Sequence, residues 1–181
     1  MTLFYKLYQA ILKWSQHPQA PYYLGGVSVV EAVIFPLPPD VMLVPMILTK
    51  PEKAWRYATI TVIGSILGGL LGYMLGYWLF DAVAKPLVEL WGYENAYSTA
   101  VKWFKDYGFL AICIAGFTPI PYKLFTIAAG VTHMPIPLFI LGATLGRSIR
   151  FFIVAWLVRR FGAHFDTVIL RFLNKLSRRV L

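Results

Sequence analysis

The stretch from Gly116 to Gly130, GFTPIPYKLFTIAAG, lies inside an apolar run from Phe109 to Val131. That run is about long enough to cross a bilayer, since a spanning helix takes roughly 20 apolar residues. Pro119 and Pro121 fall in its middle, and proline removes a backbone donor and clashes with the preceding helical turn. The sequence therefore predicts two half-helices that meet at a bend, as in a re-entrant hairpin. Irregular backbone at that depth persists only where protein covers it or where it lines a polar cavity, and such places carry function.

The composition of the chain places it in a membrane. Of its 181 residues, 59% are hydrophobic and 14% are charged, which is far from the balance of a soluble domain. The net charge of +9 would suggest nucleic acid in a soluble protein. In so apolar a chain it indicates cytoplasmic loops and anionic lipid headgroups instead, so we expect membrane lipids and no nucleic acid as partners.

A second proline-containing stretch lies earlier in the chain and carries Glu31 and Asp40. We predict that both stretches are broken by prolines, namely Pro36, Pro38, Pro119 and Pro121. The predicted segments are an interfacial amphipathic helix at 1–17, a hairpin at 22–48, a span at 57–80, an interfacial segment at 81–107, a hairpin at 108–132, a span at 135–158 and a basic amphipathic helix at 159–181.

The two halves of the chain share a weak internal repeat. The proline-containing segments 36–40 and 119–123 match in pattern, and so do the glycine-containing segments 64–68 and 142–146. Because one full span separates equivalent points, the two halves must be inverted relative to each other. The predicted fold is an all-α integral membrane protein with two inverted repeats, each a re-entrant helical hairpin followed by a transmembrane helix. In such folds the binding site lies at the repeat interface.

The distribution of lysine and arginine predicts the orientation. The loop at 50–56 and the tail after residue 158 are rich in basic residues, whereas acidic residues balance the basic ones at 81–107. The positive-inside rule therefore places the loop and the basic C-terminus in the cytoplasm, and the segment at 81–107 outside.

Five ionisable residues lie in or near these apolar stretches: Glu31, Asp40, Lys123, Arg147 and Arg150. A charged side chain at the bilayer centre costs about 2.5–3.5 kcal/mol, so these groups must pair or face water unless they reach the interface. We expect Glu31 and Asp40 to carry protons and to meet Lys123 of the other hairpin. Arg147 and Arg150 share one helical face and suit a phosphate group, which arginine binds in a bidentate manner. The alternative is that pairs of Glu31 with arginine and of Asp40 with lysine only lock the hairpins together.

Two polar residues of the second hairpin are further candidates. Thr118 and Tyr122 could hydrogen-bond a lipid headgroup, or they could satisfy backbone groups freed by the prolines. The half-helix after Pro121 would add N–H donors at its positive end. The histidines show no metal-ligand spacing, the single cysteine cannot build a cysteine-rich metal site, and no nucleophile or phosphate-loop motif is present. We therefore expect no metal, no cofactor and no enzymatic activity.

These motifs resemble a known family. The second hairpin with the glycine-bearing helix after it is similar to the signature of the DedA family, and Glu31 with the first proline cluster is similar to that family's acidic first motif. The wider relationship is to the VTT (SNARE-associated Golgi protein) domain, and the resemblance covers residues 22–156. The residues that carry the second motif are Gly116 to Gly130, Met134, Phe139, Gly142 and Gly146.

The chain departs from the family pattern at three positions. Gly116 stands where the family usually has an arginine, and Tyr122 stands where it has another, with Lys123 beside it. Arg150 stands where an aromatic residue is common. The sequence therefore resembles a divergent branch in which the basic charge has moved.

The resemblance implies movement of lipids between the leaflets of a bacterial inner membrane. Bacterial members are implicated in returning the undecaprenyl phosphate carrier or in moving phosphatidylethanolamine, driven by an ion gradient, and eukaryotic relatives act as scramblases. We expect a flippase for a phosphate-headed lipid that is coupled to the proton motive force. A passive scramblase, an enzyme acting on lipid phosphates and an assembly protein without a substrate remain alternatives, and the sequence leaves the oligomeric state open.

Overall fold

The computed structural model describes residues 17–33, 38–79, 94–118 and 122–177, of which residues 94, 96, 97, 100 and 163–177 by their backbone alone. Within these ranges the regular elements are helices, as predicted. The segment at 1–16 and three of the predicted helix-breaking prolines, Pro36, Pro119 and Pro121, lie outside the described residues. The helices are α1 (Ala20–Val33), α2 (Asp40–Thr49), a 3₁₀ turn (Pro51–Lys53), α3 (Ala54–Leu79), α4 (Glu94–Phe117), α5 (Tyr122–Val131) and α6 (Ile136–Ser177).

Each proline-containing stretch carries two separate helices, whereas the predicted role of the prolines in breaking them stays a prediction. Helix α1 ends at Val33 and α2 begins at Asp40, while α4 ends at Phe117 and α5 begins at Tyr122. Pro38 is exposed two residues before α2. Helices α2 and α5 have 10 residues each. At 1.5 Å per residue each is about 15 Å long, roughly half the hydrocarbon thickness, so neither crosses a bilayer alone.

Two helical segments are long and apolar enough to cross a membrane, Pro51–Trp78 and Ile136–Gly162. They have 28 and 27 residues and overlap the spans predicted at 57–80 and 135–158. With the two short apolar helices, they give the chain the composition of a helical membrane protein. The inversion of the two halves and the return of each hairpin to its starting side stay predictions.

Two predicted boundaries fall inside continuous helices. Helix α4 passes through the boundary predicted at 107–108, and α6 passes through the boundary predicted at 158–159. A helix propagates by adding one hydrogen bond per residue, and a change in side-chain polarity removes none of these bonds. The described part of the interfacial segment therefore belongs to α4, and the described part of the basic tail continues the second span.

Glycines let the helices approach each other backbone to backbone. A Cβ atom at Gly68 of α3 would collide with the backbone of α1 at Val29, and one at Gly146 of α6 would collide with the backbone of α4 at Cys113. Gly76, two turns further along α3, approaches α5 in the same way. Each long helix thus packs on the helix that opens its own half, and these glycines act in packing.

The short helices connect the two halves of the molecule. Helix α5 packs mainly on α3, the long helix of the first half, and α2 packs mainly on α6, the long helix of the second half. One buried cluster accordingly joins Leu43 of α2 to Phe151 of α6, and another joins Tyr122 of α5 to Tyr73 of α3. This packing places Tyr122, the first residue of α5, beside Gly69 of α3, and Asp40, the first residue of α2, beside Arg150 of α6.

The two broken stretches lie towards opposite ends of α3. His17, before α1, and Lys50, after α2, line one pocket with residues from the first turns of α3. Near the other end of α3, the hydroxyl of Tyr73 donates a 2.6 Å hydrogen bond to the carbonyl of Met134, which lies between α5 and α6. Met134 shares a buried cluster with Phe104 of α4. His17 and Lys50 therefore lie together near the start of α3, and Met134 lies near its end.

Candidate functional site

Arg147 carries its charge into the interior of the bundle, where its side chain is 1% exposed. Its Nη2 lies 3.5 Å from Oε2 of Glu31 in the last turn of α1, which is an ion pair without a hydrogen bond. Its Cζ lies 4.0 Å from the centre of the Tyr122 ring, at the first residue of α5. A desolvated cation–π contact of this kind contributes about 2 kcal/mol. The buried guanidinium is thus held by a carboxylate from one broken stretch and a ring from the other.

Arg150 follows one turn later on the same face of α6. Its Nη2 donates a 2.8 Å hydrogen bond to Oδ2 of Asp40, the first residue of α2. Its Nη1 donates to the carbonyl of Thr118, directly after α4, at 3.3 Å. The last carbonyls of a helix have no partner within it, so Arg150 caps α4 while it pairs with the start of α2. It therefore also joins the two broken stretches.

We call Glu31, Asp40, Arg147 and Arg150 the central charge cluster. Three of its side chains are between 21% and 25% exposed, whereas Arg147 is buried, so the cluster extends from the interior of the bundle towards its surface. Half-buried Lys123, in the first turn of α5, is close enough to Glu31 to act on it electrostatically. The N-termini of α2 and α5 add the positive ends of two helix dipoles. The potential at the cluster therefore favours an anion.

Several buried polar atoms at the cluster have no hydrogen-bond partner among the described residues. The Tyr122 hydroxyl lies beside Gly69 of α3, one turn after Ser65. A buried unsatisfied group costs about 1–3 kcal/mol, so a collection of them indicates a place for water or a polar ligand. The atoms are Nε and Nη2 of Arg147, Oε2 of Glu31, Oδ1 of Asp40, the Tyr122 hydroxyl and Oγ of Ser65.

The charges pair partly as the sequence predicts. Each carboxylate pairs with an arginine of α6, and for Glu31 this is the partner that the alternative of locking pairs predicts. Lys123, which the sequence places against both carboxylates, acts on Glu31 electrostatically. The physical reason for the Asp40 pair is that α2 packs mainly on α6, the long helix of the other half, and this packing brings Asp40 to Arg150. Thr118 contributes its backbone carbonyl to the site, and its hydroxyl donates to the carbonyl of Ile114 at 2.7 Å.

A family model of the VTT domain matches residues 37–160. The chain belongs to the VTT-domain family. It is therefore a membrane protein of the DedA family, as the two proline-containing motifs predict.

Two relatives of this VTT-domain protein match along most of its length. It is 45% identical over 167 residues to the "Uncharacterized protein HI0703 homolog" of Histophilus somni, which covers 90% of this chain and 87% of the relative. It is 42% identical over 165 residues to an "Uncharacterized protein" of Haemophilus influenzae, which covers 91% of this chain and 85% of the relative. No solved structure gives a significant match.

The VTT match contains most of the central charge cluster. Asp40, Arg147 and Arg150 lie within residues 37–160, whereas Glu31 precedes the matched region. In this VTT-domain protein the cluster is nevertheless completed by α1, because Glu31 is the carboxylate that pairs with the buried arginine. Among the described residues, no group of three or more histidine, cysteine, aspartate or glutamate side chains could hold a metal ion.

Two side chains at the site were missed by sequence reasoning. The ring centre of Phe151 lies 5.6 Å from Cζ of Arg147 and 5.5 Å from Cζ of Arg150. Ser65 of α3, one turn before the Gly69 that lies beside Tyr122, carries a buried hydroxyl without a hydrogen-bond partner in the described structure. Both are adjacent in sequence to residues that the motifs single out, Arg150 and Gly64. Adjacency in sequence does not show which face of a helix points into the bundle. The inward face is known only once the packing of the two halves is known.

Proposed function

We propose that this VTT-domain protein moves a phosphate-headed lipid between the leaflets of the bacterial inner membrane and is driven by the proton gradient. The lipid would be a polyprenyl phosphate carrier or a phospholipid such as phosphatidylethanolamine. The observation that carries the proposal is the central charge cluster, in which two arginines pair with two carboxylates where both broken stretches meet α6. A guanidinium group binds phosphate in a bidentate manner. The cluster therefore has the chemistry of an anion site in which the two carboxylates occupy the arginines when no phosphate is bound.

A phosphate group can exchange with the carboxylates of this site. The ion pair of Arg147 with Glu31 should separate before that of Arg150 with Asp40, because at 3.5 Å it lacks a hydrogen bond. Nε and Nη2 of Arg147 have no partner in the described structure and can donate to a phosphate. A carboxylate that loses its arginine can be neutralised by a proton. Phosphate binding at Arg147 and proton binding at Glu31 would then be linked, which is what coupling to a proton gradient requires.

The arrangement of the broken stretches supports access from both sides. The first lies towards the start of α3 and the second towards its end, with the central charge cluster between them. This geometry is what two inverted repeats around a shared site would produce, and alternating access follows from rocking one half against the other. The positive-inside rule would place the loop at 50–56 and the basic C-terminus in the cytoplasm.

The proposal is tested with purified protein in liposomes that carry a fluorescent phosphate-headed lipid in one leaflet and a pH gradient. We expect Arg147→Gln and Glu31→Gln to slow lipid movement about tenfold or more, since a hydrogen bond to a charged group contributes about 1.5–3 kcal/mol. Arg160→Gln is the matched control, because Arg160 is an exposed arginine on the same helix. Normal transport by folded Arg147→Gln protein would contradict the proposal. Movement that continues after the gradient is collapsed would make the protein a scramblase, and phosphate release would make it an enzyme.

A double variant separates transport from a purely locking role. Removing one partner of a buried ion pair destabilises a protein by about 3–5 kcal/mol, whereas replacing both with uncharged side chains is often neutral. We therefore expect Arg147→Met to unfold at a lower temperature than the unaltered protein, and Glu31→Gln/Arg147→Met to recover much of that loss without recovering transport. A stable double variant that transports normally would assign the pair to locking alone.

A further inference from the structure

A second site is suggested by a pocket at the end of the bundle where α1 and α3 begin. Its volume is about 600 Å³. Its walls come from the segment before α1, the loop between α2 and α3, and the first turns of both helices. The residues that the argument uses are His17, Gly25, Lys50, Lys53, Arg56 and Ile60.

The rim of this pocket is basic. Lys50, Lys53 and Arg56 each carry a positive charge, and no ion pair joins any of them to a carboxylate within the described part of the chain. Glu52 lies in the same loop, but it is exposed and does not line the pocket. His17 adds a donor: its Nδ1 accepts the N–H of Gln19 at 3.2 Å, so the proton of the neutral ring is on Nε2. The rim therefore offers several hydrogen-bond donors to an anion.

The deeper part of the pocket is apolar. It is lined by Gly25 on α1 and Ile60 on α3. At 1.5 Å per residue, Ile60 lies about 9 Å along the axis of α3 from the first residue of that helix. A Cβ atom at Gly25 would already touch Cγ2 of Ile60 at 3.4 Å, so glycine keeps this space open. The pocket thus changes from basic to apolar over the depth at which a bilayer changes from headgroups to hydrocarbon.

We propose that this pocket binds an anionic phospholipid, with the headgroup phosphate on Lys50, Lys53 and Arg56 and the upper acyl chain against Gly25 and Ile60. None of its lining residues belongs to the central charge cluster, and Gly25 lies about 9 Å along α1 from Glu31. The site is therefore distinct from the proposed transport site and does not depend on it. A lipid bound here would hold the first turns of α1 and α3 at the membrane surface.

Native mass spectrometry of delipidated protein tests the site, with dioleoylphosphatidylglycerol as the probe and dioleoylphosphatidylcholine as the zwitterionic comparison. We expect the first phosphatidylglycerol to bind more tightly than phosphatidylcholine. The Lys53→Ala/Arg56→Ala variant should bind it at least about tenfold more weakly, since each basic residue near a membrane surface contributes about 1 kcal/mol towards anionic lipid. The same difference should appear in an Arg147→Gln background, where the transport site is impaired.

Two matched controls separate a pocket from a diffuse surface charge. Arg159→Ala/Arg160→Ala removes the same charge from exposed positions of α6 and should leave binding within about twofold, because no lining residue changes. Gly25→Leu fills the pocket with all charges kept and should abolish the preference, whereas Gly26→Leu extends into open space and should not. Equal losses in both charge variants, an unaffected Gly25→Leu, or displacement of the lipid by inorganic phosphate would overturn the proposal.

Discussion

An arginine at position 147 stabilises the fold less than an apolar side chain of similar volume would. Moving an ion into a protein interior costs several kcal/mol, and well-packed apolar side chains of similar volume often stabilise a fold more than a buried ion pair does. The structure compensates with Glu31 at 3.5 Å and the Tyr122 ring at 4.0 Å, yet two nitrogens of the guanidinium keep no hydrogen-bond partner among the described residues. This unfinished pairing favours a role in binding over a role in locking the hairpins.

Two buried tyrosines give a contrasting pair of variants. The Tyr122 hydroxyl has no hydrogen-bond partner in the described structure, so Tyr122→Phe should keep the ring on Arg147 and leave the free energy of unfolding unchanged or raise it. The Tyr73 hydroxyl donates at 2.6 Å to the Met134 carbonyl, so Tyr73→Phe should lower it by about 1–3 kcal/mol. We expect transport to fall several-fold in Tyr122→Phe and to persist in Tyr73→Phe.

Thermal unfolding and lipid movement, measured on the same preparations, check both tyrosine variants. If Tyr122→Phe transports at the normal rate, its hydroxyl does not contact the headgroup, and the ring serves only to hold Arg147. If Tyr73→Phe loses transport at an unchanged unfolding temperature, the polar path extends further along α3 than the central charge cluster.

At the scale of elements, the helix breaks are predictable and the pairings are not. Proline fixes its own φ and restricts the residue before it, so local chemistry predicts separate helices that end at Val33 and Phe117 and begin at Asp40 and Tyr122. Which carboxylate meets which cation depends on the packing of α2 on α6 and of α5 on α3, and no local pattern encodes this. The continuity of α4 through residues 107–108 was missed for a related reason, since its charged first half suggested a separate surface segment.

Glycine positions on two packed helices provide a test of how close the helices lie. A Cβ atom at Gly68 would lie 2.8 Å from Cβ of Ala32 and would collide with the Val29 carbonyl, whereas nothing lies within 4 Å of one at Gly26. Gly68→Ala should therefore destabilise by about 1–3 kcal/mol through overpacking. Gly26→Ala should be neutral or stabilise by about 0.5–1 kcal/mol, because alanine favours helix over glycine. Equal unfolding temperatures for the two variants would mean that α1 and α3 are further apart than the structure places them.

At the scale of the whole molecule, each half has the same sequence of elements: a helix, a break, a short helix and a long helix. In each half the long helix packs on the opening helix through glycine, at Gly68 on α1 and at Gly146 on α4. The sequence repeat predicts this order, because in each half prolines lie between the first two helices and glycines lie along the long helix. The orientation of the two halves across the membrane depends on the lysine and arginine residues of the loops, and it needs a separate test.

Cysteine labelling tests that orientation, because Cys113 is the only native cysteine. In a Cys113→Ala background, single cysteines at His17, Lys53, Ser98 and Arg160 probe exposed positions at the starts of α1, α3 and α4 and along α6. In spheroplasts, a membrane-impermeant maleimide should label Ser98→Cys directly and the other three only after permeabilisation, since basic loops stay in the cytoplasm. His17 and Lys53 line one pocket and so must react from the same side. Labelling of Lys53→Cys and Ser98→Cys from one side would mean that α3 does not cross the membrane, and the two halves could not then be inverted around a shared central charge cluster.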